Sequence, residues 1–148
     1  MQAAILAGGL GTRLRPLTED TPKVMVPVAG KPVLLHLLMM LKAQGVDDVV
    51  LLTGHMGTQV MDYFGHGENL GIWIRYSQEK AGLLGTGGAL KQAESHLLDN
   101  FFVINGDTYL PIDYSQVASA FIKTGRLAMM VVYDNSNDTG VPNNVRLG

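Results

Sequence analysis

Apolar runs of strand length alternate with helix-like segments along most of the chain, and this alternation restricts the fold more than any other feature. Short apolar runs predict strands at residues 2–6, 48–53, 72–77, 101–105 and 127–133. Helical spacing of apolar residues predicts helices at residues 33–44, 57–64, 87–98 and 114–124. Such alternation is typical of α/β proteins, so we predict a mostly parallel sheet flanked by helices.

Composition narrows the class of protein. The 148 residues are 47% hydrophobic and 16% charged, which suits one domain with a sizeable core. There is no cysteine, so disulfides and thiolate metal sites are excluded, and no apolar run reaches membrane-spanning length. The chain begins on the first predicted strand without a secretory leader, so we expect a cytoplasmic protein with no membrane partner. A net charge of −2 argues against a nucleic-acid partner.

A glycine-rich loop follows the first predicted strand. Gly8-Gly9-Leu10-Gly11-Thr12-Arg13 lets backbone N–H groups close around an anion, because glycine has no Cβ to block the approach. A second cation, Lys23, follows ten residues after Arg13. Ligands of parallel sheets bind at the carboxyl ends of the strands, where this loop and the turn after residues 101–105 should meet. The loop predicts a polyphosphate site, and therefore a protein that handles nucleotides.

Two commoner phosphate motifs do not match. A P-loop requires Gly-Lys followed by Ser or Thr, and the chain has no such tripeptide. The dinucleotide fingerprint G-x-G-x-x-G requires a third glycine where Leu14 stands, and an acidic residue about 20 positions later, where the region around Lys31 has none. The loop therefore belongs to another type of phosphate site.

The string GGLGTRLRPLT with a following Pro22-Lys23 resembles the sugar-1-phosphate nucleotidyltransferases, also called nucleotide-sugar pyrophosphorylases. Residues 27–32 resemble the segment before that family's first helix, residues 84–89 its base-contacting loop, and Asn105-Gly106-Asp107 its metal-binding turn. The four pieces occur in the family's order and spacing over nearly the whole chain. The resemblance implies a Rossmann-like, mostly parallel sheet of the nucleotide-diphospho-sugar transferase type.

The resemblance also implies roles for particular residues. It assigns catalysis to Arg13, Lys23 and Asp107, with Asp107 as the ligand of Mg²⁺. It assigns nucleotide binding to Leu6, Ala7, Gly8, Gly9, Gly11, Thr12, Gln78, Glu79, Gly85 and Thr86. It assigns the sugar phosphate to Lys23, Gly106 and Asn144. The implied reaction joins a sugar 1-phosphate to a nucleoside triphosphate and releases pyrophosphate.

The base and the sugar are less constrained than the reaction. Glu79 followed by Leu-Gly-Thr-Gly-Gly resembles the mannose- and heptose-1-phosphate guanylyltransferases, so GTP is favoured over UTP, dTTP, CTP and ATP. The sequence departs from the family pattern at Val24, where proline is usual, and in lacking proline shortly before Leu84. The oligomeric state is left open, a homo-oligomer being among the alternatives.

Family members are considerably longer than this sequence, and their second half carries much of the sugar site and a second metal-binding aspartate. We therefore interpret residues 1–148 as the N-terminal, nucleotide-binding part, truncated at the C-terminus. Two alternatives stay open. One is a noncatalytic nucleotide-binding regulatory subunit or fragment on the same fold. The other is a cytidylyltransferase that acts on a phosphocholine-like acceptor.

Overall fold

Four parallel strands form a sheet in the order β5-β4-β1-β6. The computed structural model describes residues 1–80, 82 and 84–132. Its strands are β1 (Gln2–Ala7), β2 (Pro27–Val28), β3 (Lys31–Pro32), β4 (Asp48–Thr53), β5 (Trp73–Gln78) and β6 (Phe102–Asn105). Its α-helices are α1 (Val33–Ala43), α2 (Gly57–Phe64), α3 (Gly85–Gln92) and α4 (Tyr114–Thr124). The predicted parallel α/β sheet flanked by helices is confirmed.

The chain divides into two units, Met1–Ile112 and Asp113–Gly148. The first holds the whole sheet, with β1 and β4 at its centre. In register, Gln2 lies opposite Asp48 and Ala3 lies opposite Phe102. Both central strands are almost entirely buried, which explains their unbroken apolar sequence, since a parallel strand with helices on both faces has no solvent side.

Packing in the first unit follows the expected periodicities. Helix α1 buries one stripe of leucines at helical spacing, Leu34, Leu37, Leu38 and Leu41. Alternate residues of β1 and β4 form one cluster with Ala89, within α3, and Ala93, which directly follows it. The small alanine side chains let the helix lie close to the strands. This packing holds the first residues of α3 beside the carboxyl ends of the strands.

Helix α3 differs from its prediction at both ends. It begins at Gly85 rather than residue 87, and it ends at Gln92, followed by a 3₁₀ turn at Glu94–His96. The cause is the buried side chain of Gln2, whose amide nitrogen donates to the His96 carbonyl oxygen at 3.1 Å. Its amide oxygen accepts from the backbone nitrogen of Leu98 at 2.8 Å. These bonds take the backbone out of the helix before residue 98.

A short hairpin that the sequence analysis did not separate precedes α1. Strands β2 and β3 pair antiparallel, and the turn between them places Ala29 at φ 49° and Gly30 at φ 77°. Two consecutive positive φ angles are typical of tight hairpin turns, in which glycine at the second position avoids steric strain. The hairpin leads directly into Val33, the first residue of α1.

The second unit contains α4, whose bounds are as predicted. The Asp113 carboxylate caps its first turn by accepting from the backbone nitrogen of Gln116 at 3.0 Å, and Gly125, at φ 60°, follows its end. The strand predicted at residues 127–133 was wrong over the described residues 127–132, and Tyr133 lies outside them. A strand needs a hydrogen-bonded neighbour, and no described strand pairs with this run. Leu127 and Met130 are accordingly exposed.

None of the described helices is both long enough and apolar enough to span a membrane.

Candidate functional site

A cavity of about 280 Å³ opens at the carboxyl ends of the parallel strands. Its walls come from the ends of β1, β4 and β6, the loops after β1 and β5, the turn around Lys23 and the start of α3. The lining residues are Leu6, Ala7, Gly8, Gly9, Lys23, Val24, Leu52, Glu79, Gly85, Thr86, Ala89, Asn105 and Asp107. Nine of these were predicted as site residues, so the structure brings most of the predicted site into one place.

A larger cavity of about 480 Å³ lies beside the β2–β3 hairpin and α1. Its lining is apolar and aromatic, including Met39, Met40 and Tyr109, with His36 the sole titratable nitrogen. The Nε2 atom of His36 already lies 2.8 Å from the Val28 carbonyl oxygen. Because a polyphosphate requires cations and backbone donors, the smaller cavity is the better candidate for the predicted site.

The glycine-rich loop crosses the loop after β4 at very close range. A Cβ on Gly54 would lie 2.9 Å from the Gly8 carbonyl oxygen, and a Cβ on Gly8 would lie 3.2 Å from the Gly54 nitrogen. A methyl group at Gly54 would therefore clash with the Gly8 backbone, and one at Gly8 would require the Gly54 backbone to shift by a few tenths of an ångström. Gly9 is different, because a Cβ there would meet nothing within 4 Å. Free space beside a pocket-lining glycine leaves room for a ligand to approach the backbone.

The turn after β6 carries Asp107 into the pocket. The backbone nitrogen of Gly106 donates to the Leu6 carbonyl oxygen at 2.9 Å, which joins this turn to the end of β1. A Cβ on Gly106 would lie 2.9 Å from that same oxygen, so a larger residue would push the turn away. The Asp107 carboxylate forms an ion pair with the ammonium group of Lys23. Lys23, predicted to neutralise phosphate, therefore contacts Asp107, the predicted metal ligand.

Glu79, the residue after β5, also lines the pocket. Its backbone nitrogen donates to the Thr53 carbonyl oxygen at 2.8 Å, continuing the β4–β5 pairing one residue beyond the strand. Gly85 and Thr86, at the start of α3, line the same pocket. The side chain of Gln92, at the end of α3, donates to the Gln78 carbonyl oxygen at 3.0 Å and thereby ties the helix to β5.

Several predicted site residues lie outside the pocket lining. Arg13 and Thr12 lie in an exposed 3₁₀ turn, Thr12–Leu14, that begins at Gly11. The side chain of Gln78 lies beside Gly57, at the start of α2, where a Cβ added to Gly57 would be 3.2 Å from the Gln78 side-chain nitrogen. Gly106 is also outside the lining, and its backbone nitrogen joins the turn after β6 to the end of β1. Asn144 lies outside the described residues.

Sequence reasoning missed four lining residues. Leu52, Val24 and Ala89 form apolar parts of the wall. Leu52 and Val24 carry only the hydrophobicity that also marks the core, whereas Ala89 ends the segment that resembles the base-contacting loop. Asn105 ends β6 and belongs to the quoted Asn-Gly-Asp turn, so its place after a predicted strand was the signal available. Gly54, which packs against the glycine-rich loop, was also missed. A glycine directly after a strand was the available hint.

The donor set of the pocket bears on whether a metal fits. No group of three or more histidine, aspartate or glutamate side chains able to hold a metal occurs among the residues that the structure describes. Asp107 supplies carboxylate oxygen, the ligand type that Mg²⁺ prefers. Mg²⁺ commonly uses one or two carboxylates together with substrate phosphates and water. The residues present therefore suit an ion that arrives with a nucleotide.

Comparison with known proteins agrees with this geometry. The chain is 44% identical over 117 residues to the D-glycero-alpha-D-manno-heptose 1-phosphate guanylyltransferase of Campylobacter jejuni, covering 79% of this chain and 52% of that protein. It is 43% identical over 116 residues to the N-acetylmuramate alpha-1-phosphate uridylyltransferase of Neisseria meningitidis, covering 78% of this chain and 50% of that protein. The chain thus spans about half the length of these relatives.

A solved structure extends the likeness to three dimensions. The crystal structure of HddC from Yersinia pseudotuberculosis complexed with GMP-PN matches with a TM-score of 0.72 and 38% identity, covering 80% of this chain and 53% of that one. The family model described as nucleotidyl transferase matches residues 2–141, which include the glycine-rich loop, Lys23, Glu79 and Asp107. With sequence, fold and pocket in agreement, the chain belongs to the nucleotidyl transferase family.

Proposed function

We propose that this chain forms the nucleotide-binding part of an enzyme that transfers a nucleotidyl group from a nucleoside triphosphate, with GTP favoured, to a sugar 1-phosphate. The observation that supports this best is the single pocket shared by the glycine-rich loop, the Lys23–Asp107 ion pair and Glu79. Guanylyl- and uridylyltransferases of sugar 1-phosphates are among the relatives. A cytoplasmic location, and no membrane or nucleic-acid partner, are part of the same proposal.

The proposed reaction has a simple balance. An oxygen of the sugar 1-phosphate forms a bond to the α-phosphorus, the bond between the α-phosphorus and the bridging oxygen breaks, and pyrophosphate leaves. No covalent intermediate with the protein is needed, so the protein must align two anions and stabilise negative charge. Lys23 would neutralise phosphate near the reacting centre, and Arg13 would bind the departing pyrophosphate through its planar guanidinium group.

Asp107 would hold Mg²⁺ together with phosphate oxygens of the nucleotide. The ion would supply charge neutralisation and orient the phosphate groups when bound. Without nucleotide, the ammonium group of Lys23 pairs with the Asp107 carboxylate. It would move from this carboxylate to a phosphate group as the nucleotide binds. Backbone N–H groups of Gly8, Gly9 and Gly11 would bind the other phosphate oxygens, Gly106 and Asn144 being proposed for the sugar phosphate.

Glu79 supports the preference for guanine. Guanine presents two adjacent N–H donors, at N1 and at the exocyclic nitrogen, and a carboxylate can accept both. Uracil and thymine present one N–H flanked by carbonyl oxygens, which a carboxylate would repel. Glu79 lines the same pocket as Gly85 and Thr86, so a base bound against these residues would be within reach of its side chain. Gln78 would contribute through its backbone.

One experiment tests the proposal. Pyrophosphate release would be measured with Mg²⁺ for five nucleoside triphosphates crossed with a panel of sugar 1-phosphates, alongside equilibrium binding of each nucleotide. We expect GTP to bind most tightly and one sugar 1-phosphate to give release. Failure of every triphosphate to bind in the presence of Mg²⁺ would refute the proposal.

The same measurement separates the alternatives. GTP binding without release from any acceptor would favour a noncatalytic nucleotide-binding protein, one of the two alternatives left open by the sequence. Release with CTP and phosphocholine, but with no sugar 1-phosphate, would favour the cytidylyltransferase alternative.

A further inference from the structure

Thr18 is buried in a segment that is otherwise open to solvent. From Gly9 to Thr21, all of which the structure describes, it is the one buried residue, with 5% of its surface exposed. A polar side chain in such a position requires a hydrogen-bond partner, because burial without one costs free energy. The partner of the Thr18 side chain therefore bears directly on how this segment is folded.

The hydroxyl group of Thr18 has a specific partner. Its Oγ1 atom donates to the Gly11 carbonyl oxygen at 2.8 Å. The same oxygen accepts from the backbone nitrogen of Leu14, also at 2.8 Å. Two donors thus hold one carbonyl group, and this group begins the 3₁₀ turn that carries Arg13. The orientation of the turn follows from the orientation of that carbonyl.

The side chain of Thr18 also packs against the loop on its carbon side. A Cβ on Gly11 would lie 3.0 Å from Thr18 Cγ2 and 3.1 Å from Lys23 Cβ. Gly11 is therefore enclosed by Thr18 and Lys23. Thr18 therefore packs against the start of the turn that bears Arg13, at the point where this turn also meets Lys23. Lys23 in turn pairs with Asp107.

A second bond holds the chain just after Thr18. The side-chain nitrogen of Gln59, on α2, donates to the Asp20 carbonyl oxygen at 3.0 Å. This bond secures the path from Thr18 toward Lys23 against a helix of the first unit. The segment that contains Thr18 is therefore held at both ends. The bond to Asp20 holds one end, and the close approach of Gly8 to Gly54 holds the other.

We propose that Thr18 is a positioning residue for the phosphate-binding side of the nucleotide site, setting the Gly11–Arg13 turn relative to Lys23. This inference rests on the proposed function. Thr18 lies outside the lining of the pocket, so it acts through Gly11 and does not touch the nucleotide. Loss of its hydroxyl group should weaken binding of the triphosphate and leave binding of the base and ribose unchanged.

The test compares two substitutions in the full chain. Thr18→Val keeps the shape of the side chain and removes the donor, whereas Thr18→Ser keeps the donor and removes the methyl group. Affinities for Mg-GTP and for guanosine would be measured by displacement of a fluorescent GTP analogue, with thermal unfolding as a check of folding. We expect Thr18→Val to bind Mg-GTP about 5- to 10-fold more weakly, the scale of one lost hydrogen bond to a buried carbonyl.

The outcomes are distinct. Unchanged guanosine affinity in Thr18→Val, with Mg-GTP affinity restored in Thr18→Ser to within about twofold of the parent chain, would support the inference. Equal losses for Mg-GTP and guanosine would mean a general structural role, and an unchanged Mg-GTP affinity would mean no role; either overturns it. If the parent chain bound neither ligand, the proposed function would fail and the inference with it.

Discussion

The ammonium group of Lys23 forms an ion pair with the Asp107 carboxylate in the wall of the pocket, and the two side chains are 29% and 33% exposed. An ion pair whose side chains are both about one third open to solvent contributes little to stability. Its significance lies in what each partner would bind instead, namely phosphate for Lys23 and Mg²⁺ for Asp107. Under the proposed function, the pair would keep both groups neutralised until phosphate and Mg²⁺ arrive together.

Replacement of Lys23 by methionine should change two affinities in opposite directions. Without the ammonium group, the Asp107 carboxylate is free, so Mg²⁺ should bind the nucleotide-free chain about threefold more tightly, a gain on the scale of one weak surface ion pair. Mg-GTP should bind at least about 10-fold more weakly, because one charge-assisted contact to phosphate is lost. Calorimetry would measure nucleotide binding, and the Asp107 amide signal in NMR would report Mg²⁺.

Lys91→Met is the matched control for that substitution. Lys91 pairs with Glu94 at 2.6 Å, is well exposed, and lies outside the pocket lining, so its loss changes net charge by the same amount. We expect neither affinity to change. Loss of both affinities in Lys23→Met, or gain of both, would contradict the exchange of partners.

Glu79→Gln should relax the choice of base. Glutamine offers one acceptor and one donor, so it cannot accept both guanine N–H groups, and its amide hydrogens would face one of them. The ratio of GTP to UTP affinity should therefore fall by about 10- to 100-fold, the scale of a lost charged hydrogen bond plus one unfavourable contact. Competition binding with each triphosphate measures the ratio directly.

The control for this substitution is Glu94→Gln, which removes an exposed carboxylate outside the pocket lining. It should leave the ratio at the parent value. If Glu79→Gln keeps the GTP preference of the parent chain, guanine is recognised by another group in the pocket wall and not by Glu79.

Gly54→Ala should destabilise the first unit, because its new methyl group would lie 2.9 Å from the Gly8 carbonyl oxygen and 3.2 Å from Gly8 Cα. Both are backbone atoms that cannot rotate away, so we expect a loss of about 1–3 kcal/mol in the free energy of unfolding. Gly87→Ala provides the opposite case. A Cβ at Gly87 would meet nothing within 4 Å, and alanine in a helix should add about 0.5–1 kcal/mol.

Urea unfolding of the two variants and the parent chain tests this pair. A stability of Gly54→Ala equal to that of the parent chain would show that the two loops separate without cost. Both variants add one methyl group to the same unit, so the informative result is the opposite sign of their changes in the free energy of unfolding.

Local pattern was enough to predict most of the fold. The bounds of β4, α2 and α4 are as predicted, because each has a clear apolar period and a glycine or polar boundary. The end of α3 was wrong because it depends on Gln2, a residue about 90 positions away in sequence whose side chain bonds to the backbone at residues 96 and 98. Residues 127–132 form no strand because strand formation depends on a partner, which apolar character alone does not supply.

The candidate site shows the same division. Lys23, Asp107 and the glycine-rich loop were identified from motifs that are short and continuous in sequence, and the pocket brings them together. Thr18 stands in the quoted GGLGTRLRPLT motif and Gly54 directly follows a strand, yet neither was predicted as a site residue. Their contacts, with Gly11 and Gly8 respectively, are visible only in the folded chain.

Protonation of Asp113 should loosen the start of α4 at low pH. Hydrogen bonds from the Ser115 hydroxyl group and from the Gln116 backbone hold the pKa of Asp113 below its ordinary value of 3.8. A lowered folded-state pKa means that the ionised carboxylate stabilises the folded helix. That contribution is complete above the unfolded-state pKa and disappears as the pH falls through the lower folded-state value.

The amide signal of Gln116 offers a direct measurement, since its nitrogen donates to Asp113 Oδ1 at 3.0 Å. In the parent chain the Gln116 amide shift should titrate with a midpoint below 3.8, accompanied by faster hydrogen exchange in the first turn of α4. Asp113→Asn should remove this titration and keep the helix, because asparagine caps helices as well as aspartate does but has no charge to lose. A midpoint at or above 3.8 in the parent chain, or the same titration in Asp113→Asn, would show that another carboxylate controls the helix start.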